Sequence, residues 1–88
     1  MQVETDLDHL PPFPKRLPEK LKAIRKRLGL KPNEIAQKVG AKTGAEILAY
    51  ENNEDDLLLP VLWGYARLSG NPIINLLDDN LEVNWTNN

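Results

Sequence analysis

The chain has no cysteine and a single histidine, His9. A disulfide framework and a thiolate metal site are therefore excluded, and one histidine cannot build a histidine-rich site. No apolar run approaches the ~20 residues that a membrane helix needs. The opening MQVETDLDHL is acidic and lacks an apolar signal core, which predicts a cytoplasmic protein without a membrane segment. No phosphate-cradling glycine motif is present either. Catalysis has little to build on. His9 has no partner nearby in sequence, Asp78 and Asp79 are adjacent and so do not share a helix face, and Asp55-Asp56 reads as a solvated loop. The expectation is no enzyme, no cofactor and no metal.

What is present fits one small domain of 88 residues. A chain near this size buries only about 60% of its unfolded surface, so a dimer partner is a natural source of extra stability. The net charge of −2 hides a strong polarity. Residues 15–42 hold ten Lys and Arg against two acids, a net of +8, whereas residues 43–88 hold Arg67 against eight acids, a net of −7. Residues 1–14 add three acids and no base. Such a molecule can offer a basic face to phosphate while its acidic half faces away. The alternative is that the first helix simply has a solvated basic face.

Stop and start signals divide residues 17–80 into five short helices, preceded by a proline-rich extended arm (1–16) and followed by a short tail (81–88). In the arm, Pro11, Pro12 and Pro14 enforce extended geometry around Phe13, which is placed to staple onto the core or into a partner's groove. The first helix opens at Pro18 with Glu19 beside it. Leu17, Leu21, Ile24 and Leu28 form its apolar stripe, and Gly29 stops it. The second opens at Pro32, turns Ile35, Ala36 and Val39 inward, and ends at Gly40. The third runs from about Thr43 to Glu51, with Ile47 and Tyr50 buried and Asn52-Asn53 as its breaker. The fourth runs from Leu59-Pro60 through Leu68, with Leu59, Leu62, Tyr65 and Ala66 inward and Gly70 as its stop. Asn71 as N-cap and Pro72 as first residue start the fifth, where Ile73, Leu76 and Leu77 pack back. The alternation Leu81, Val83, Trp85 gives a weak strand signal.

These pieces together resemble the lambda-repressor-like, Xre-type helix-turn-helix family, an all-α, compact five-helix fold. LKAIRKRLGLKPNEIAQKVG matches its first two helices, ILAYENN the end of its recognition helix, and LPVLWGYARLSGNPIINLLDD its fourth and fifth. The likeness covers Leu17 to Asp79. It departs from the family pattern at Lys31 and Pro32, where Ser-Gln is usual, at Asn53, where glycine is usual, and in the turn AKTGA, which is one residue longer.

The resemblance implies a sequence-specific regulator of transcription that binds double-stranded DNA, as a homodimer with the helix after Gly40 in the major groove. It places Lys31, Asn33, Lys38, Lys42 and Thr43 on phosphates, and Thr43, Glu46 and Ala49 on base edges, with Asn52 at the end of the same helix. The amide groups of Asn33 and Glu34 are the expected anion donors at the start of the second helix. Trp63 is expected at the surface, either at a dimer contact or covered by Trp85 or Val83 of a returning tail. Against DNA readout stand Leu48 and Ala49, which cannot hydrogen-bond bases, although alanine can touch a thymine methyl. The second reading is therefore a protein-interaction module, antitoxin-like or partner-docking, that keeps the fold.

Overall fold

Proline supplies the first turn of three helices and glycine ends three. The computed structural model describes residues 14–85. The helices are α1 (Leu17–Arg27), α2 (Pro32–Val39), α3 (Gly44–Glu51), α4 (Leu59–Ser69) and α5 (Ile73–Leu77). Pro18, Pro32 and Pro60 lie within the first two positions of α1, α2 and α4, where a missing N–H costs no helical hydrogen bond. Gly29, Gly40 and Gly70 take φ of 69°, 84° and 73°, the left-handed stop that the sequence predicts. Asn53, with φ 59°, breaks the chain after α3 in the same way. Expectations for residues 1–13, including His9 and Phe13, lie outside the described residues.

α1 and α2 form the middle of the bundle. α2 packs on α3 and α4, and α1 packs on α3, α4 and α5. The fully enclosed side chains Leu21, Ile24, Ile35, Ile47, Val61, Tyr65 and Leu76 come from all five helices. Gly64 sets the approach of α4 to α2. A Cβ there would lie 2.7 Å from the Val39 Cα and 2.8 Å from its carbonyl oxygen. No helix among the described residues is long and apolar enough to cross a membrane.

Four sequence expectations fail, each for a local reason. Leu28 does not complete the apolar stripe of α1; it is the C-cap, past the last helical turn, and 40% exposed. Leu59 does not face inward; it is 68% exposed, and Val61 takes the buried position. Two residues are about 200° of helix rotation, so Leu59 shares the outer side with Trp63 and Arg67 while Val61 shares the inner side with Tyr65. Asn71 is not the N-cap of α5. That position belongs to Pro72, one residue later, with no side-chain cap. The Asn71 amide instead serves the tail: its Oδ1 accepts from the Asn84 N–H at 2.7 Å, and its Nδ2 donates to the Asn84 carbonyl at 2.9 Å. That exchange replaces a strand ladder, and Leu81 to Trp85 form no strand. The tail does return, but over α1. Val83 packs against the core, and Trp85 lies over the Arg27 guanidinium at 5.4 Å.

Side chains and amides of residues 15–20 hold residues 75–82 against the start of α1. Lys20 is only 3% exposed, and its Nζ donates to the carbonyls of Asn75, Asp78 and Leu81 at 2.8 Å each. All three ammonium protons thus meet carbonyls at the C-terminal end of α5 and in the loop beyond, where partial negative charge accumulates. Arg16 pairs bidentately with Glu82 at 2.7 and 2.8 Å. The Asp79 carboxylate accepts the backbone N–H groups of Lys15 and Arg16 at 3.1 and 3.0 Å. Those two amides hold the Asp79 carboxyl below its ordinary range, and the Arg16 guanidinium does the same for Glu82.

Candidate nucleic-acid interface

The α2–turn–α3 unit is fixed at both of its corners. Gly40 lets the chain reverse, and the Gly40 and Ala41 amides both donate to the Ala36 carbonyl, at 3.0 and 2.9 Å. At the other corner the Thr43 Oγ1 caps α3 by accepting from the Glu46 N–H at 3.2 Å. The two helix starts are then tied together: the Asn33 Oδ1 accepts from the Gly44 N–H at 2.8 Å. A side chain at Gly44 would strike Asn33, so glycine there lets the start of α3 press against α2.

Inside, Ile47 and Tyr50 anchor α3 in the core. Its last turn is locked to α1 by an almost buried ion pair, in which the Arg25 Nε and Nη2 donate to the two Glu51 carboxylate oxygens at 2.7 and 3.0 Å. Arg25 also donates to the Leu30 carbonyl at 3.2 Å. The sequence reading counts Arg25 only within the net positive charge of residues 15–42, and so misses this lock. Outside, α3 presents Ala45, Leu48 (44% exposed), Ala49 and Asn52.

The expected contact residues do not form one group. Lys31, Asn33 and Glu34 share a shallow cleft with Gly44, Ala45 and Leu48 at the corner between the helix starts. Lys42 and Thr43 are exposed at the front of α3, and Asn52 at its end. Lys38 stands apart, in a separate cleft with Trp63, Gly64, Arg67 and Leu68. Trp63 is 56% exposed and Trp85 lies over α1. Asn33 carries the helix–helix bond just described. Glu46 turns back along α3: its Oε1 accepts from the Tyr50 hydroxyl at 2.7 Å and its Oε2 from the Lys42 N–H at 3.3 Å. Burial, and then that bond to Glu46, push the Tyr50 hydroxyl up to about 12.

The anion site at the start of α2 is smaller than the sequence implies. The Glu34 amide already donates to the Lys31 carbonyl at 2.9 Å, and the Glu34 carboxylate accepts the Lys31 N–H at 2.7 Å. Of the ten cations in residues 15–42, Arg16, Lys20 and Arg25 serve internal oxygens. Lys15, Lys22, Lys26, Arg27, Lys31, Lys38 and Lys42 remain exposed. Seven of the ten cations are thus left for solvent or a partner. No group of three or more His, Asp or Glu among the described residues can hold a metal ion.

Comparison with known proteins gives a fold. No protein-family model matches the chain, and no curated protein matches it in sequence. Among solved structures it is similar to the P22 c2 repressor protein, crystallised with synthetic operator 9T in the presence of Tl+. The TM-score is 0.64 at 21% identity, over 72% of this chain and 94% of that one. The five helices thus share the fold of that protein.

Proposed function

We propose that this chain is a DNA-binding transcriptional regulator that lays α3 in the major groove, and that it acts as a dimer whose two α3 helices enter successive grooves about 34 Å apart. One observation carries the reading. The outer face of α3 is uncovered at Ala45 and Leu48, with Ala49 half-buried beside them, while Lys31 and Lys42 flank it in solvent. The similar P22 c2 repressor was crystallised with an operator, which supports the same use of the fold here. Small apolar side chains at Ala45 and Ala49 suit the C5-methyl of thymine, and the Asn52 amide suits the donor–acceptor edge of adenine. With Glu46 held by Tyr50, base reading falls to Thr43, Leu48, Ala49 and Asn52, and the phosphate contacts to Lys31, Lys42 and the more distant Lys38. The protein needs no cofactor for this role, performs no catalysis and works in the cytoplasm.

Selection from a random duplex library at two salt concentrations tests it. An enriched sequence is expected, with an affinity whose logarithm falls by about 0.9 per phosphate contact for each decade of salt. No enriched sequence and no salt dependence at micromolar protein would sink the reading. A second reading, a protein-docking module, draws on the 44% exposure of Leu48 in the middle of the same face. A stoichiometric protein partner that binds without DNA and is lost in Leu48→Asp would favour it.

A further inference from the structure

An apolar cleft lies away from the outer face of α3 and takes no part in the function proposed above. Leu17 and Leu21 of α1, Tyr50 of α3, Leu62 of α4 and Leu77 of α5 line it, with Leu57 from the loop before α4. Its volume is about 350 Å³, room for more than one side chain. Asp55 and Asp56 border it and are exposed. A wall of leucines gives water few partners, so an apolar occupant is favoured over solvent.

The chain itself leads to this cleft. Pro14 is part of the lining, and the two residues after it are pinned: the Lys15 and Arg16 amides donate to the Asp79 carboxylate at 3.1 and 3.0 Å. The Cα of Phe13 is therefore about 3.8 Å from that of a residue already in the wall. The residues before Pro14 read Leu10-Pro11-Pro12-Phe13. Proline fixes its own φ, and each of Leu10 and Phe13 precedes a proline, which holds them to extended angles as well. In the polyproline II form such a run favours, three residues make a turn and each rises about 3.1 Å. Leu10 and Phe13 then share one side of the run, about 9 Å apart. Little backbone freedom is left for docking to remove, and a proline-rich strand suits an apolar groove that offers a ring such as Tyr50. Leu10 to Phe13 carries no charge, so Asp55 and Asp56 do not repel it.

We propose that residues 10–13 fill this cleft in the same chain, with the Phe13 ring and the Leu10 side chain as apolar anchors. The segment closes the core from α1, across the inner end of α3, to α4 and α5. Tyr50 lies on the buried side of α3 while Ala45 and Leu48 face solvent, so the strap braces α3 from behind and leaves its outer face open.

The chain has one phenylalanine, so its ring protons are identified in an NMR spectrum without further assignment. The test is an NOE measurement on the full chain, repeated on an equal mixture of isotope-labelled and unlabelled protein. Cross-peaks from the Phe13 ring to methyl groups of Leu57, Leu62 or Leu77 are expected within one molecule. Cross-peaks only between molecules overturn the proposal and give the cleft to the arm of a second copy. No cross-peak to any of the three overturns it and leaves the cleft, with its acidic border, to a basic apolar segment of another protein. Phe13→Ala should lower the melting temperature by about 4–8 °C, as loss of a partly buried ring does in a domain of this size, whereas Glu4→Ala in the same arm should not move it. Equal effects of the two overturn the anchor. The NOE is read on the wild type, so it decides the matter even for a variant that does not fold.

Discussion

On α1 two of the five cations point at oxygen: Lys20 at three carbonyls, Arg25 at the Glu51 carboxylate. Around α3, Lys31 and Lys42 have solvated side chains, and the face between them is alanine, leucine and asparagine. The segment richest in positive charge therefore uses part of that charge to hold the molecule together, and the surface offered to a partner carries few charges of its own. Charge density along a sequence and charge on a working face are separate quantities. What separates them is whether the helix phase turns a basic residue toward a helix end or a carboxylate, or toward water. Mutation can break that contrast from either side.

The largest effect should come from the Arg25–Glu51 lock. Glu51→Ala leaves the nearly buried Arg25 guanidinium with the Leu30 carbonyl but without its counter-ion. Breaking a buried pair in this way costs ~3–5 kcal/mol. The lower end is expected here, because the Arg25 side chain keeps 13% exposure against 2% for Glu51. Urea unfolding measures it. Arg25→Met with Glu51→Leu should recover most of the loss, since an apolar pair of similar volume avoids stranding a charge. A Glu51→Ala protein as stable as wild type would show that α3 is held by Ile47 and Tyr50 alone.

Next is Lys20. Lys20→Met keeps the apolar stem and removes the donor from three carbonyls, at a cost of about 1–3 kcal/mol. Amide exchange should quicken in α5 and the tail before it does in α3. If the loss instead spread evenly over all helices, Lys20 would be a general core residue and not the anchor of the chain's C-terminal end.

The third test uses acid. Asp79 and Glu82 have carboxyls held below their ordinary values of 3.8 and 4.5. A group depressed in the folded state adds stability that is complete above its unfolded value and is lost as pH falls through the folded one. The melting temperature should therefore fall as pH drops below about 4.5 and go on falling beneath 3.8. Asp79→Asn with Glu82→Gln should flatten that slope. Both side chains sit at the surface, so added salt should shrink the effect.

The same physics decides how much of this molecule its sequence discloses. Helix limits are legible because they are local: proline starts, glycine stops and the Asn53 break act within a turn of where they stand. Buried positions in α1, α2 and α3 are legible because their apolar residues recur at helical spacing. Leu59 misleads because Pro60 has three apolar residues on each side, Leu57 to Leu59 and Val61 to Trp63, which do not by themselves reveal which phase the helix takes. Asn71 misleads because an asparagine before proline suits a cap, and its actual partner, Asn84, is thirteen residues away. Lys20, Arg25, Asn33 and Glu46 share that fault. Their types permit a solvated role, and only the three-dimensional meeting of α1 with α5, α1 with α3, α2 with α3, and Glu46 with Tyr50 reassigns them. The candidate interface is legible as a location, the helix after Gly40, and not as a set of contacts.

The smallest stability effect, and the sharpest contrast, belongs to the front of α3. Lys42 is exposed, and only its backbone N–H joins the Glu46 bond, so Lys42→Ala should change unfolding free energy by less than about 0.5 kcal/mol. In duplex binding it should weaken affinity about equally for all sequences and reduce the salt slope by about 1, as loss of one phosphate contact does. Leu48→Asn should behave differently on the same helix, leaving the salt slope alone and changing which sequence is enriched, because a side chain in mid-groove meets base edges and not the backbone. Fluorescence anisotropy on the enriched duplex and one scrambled control separates the two responses. A Lys42→Ala variant that loses stability while binding normally would reverse the contrast drawn here: the α3 cation would be the structural one, and a basic residue of α1, Lys22 or Lys26, would be the next to test against phosphate.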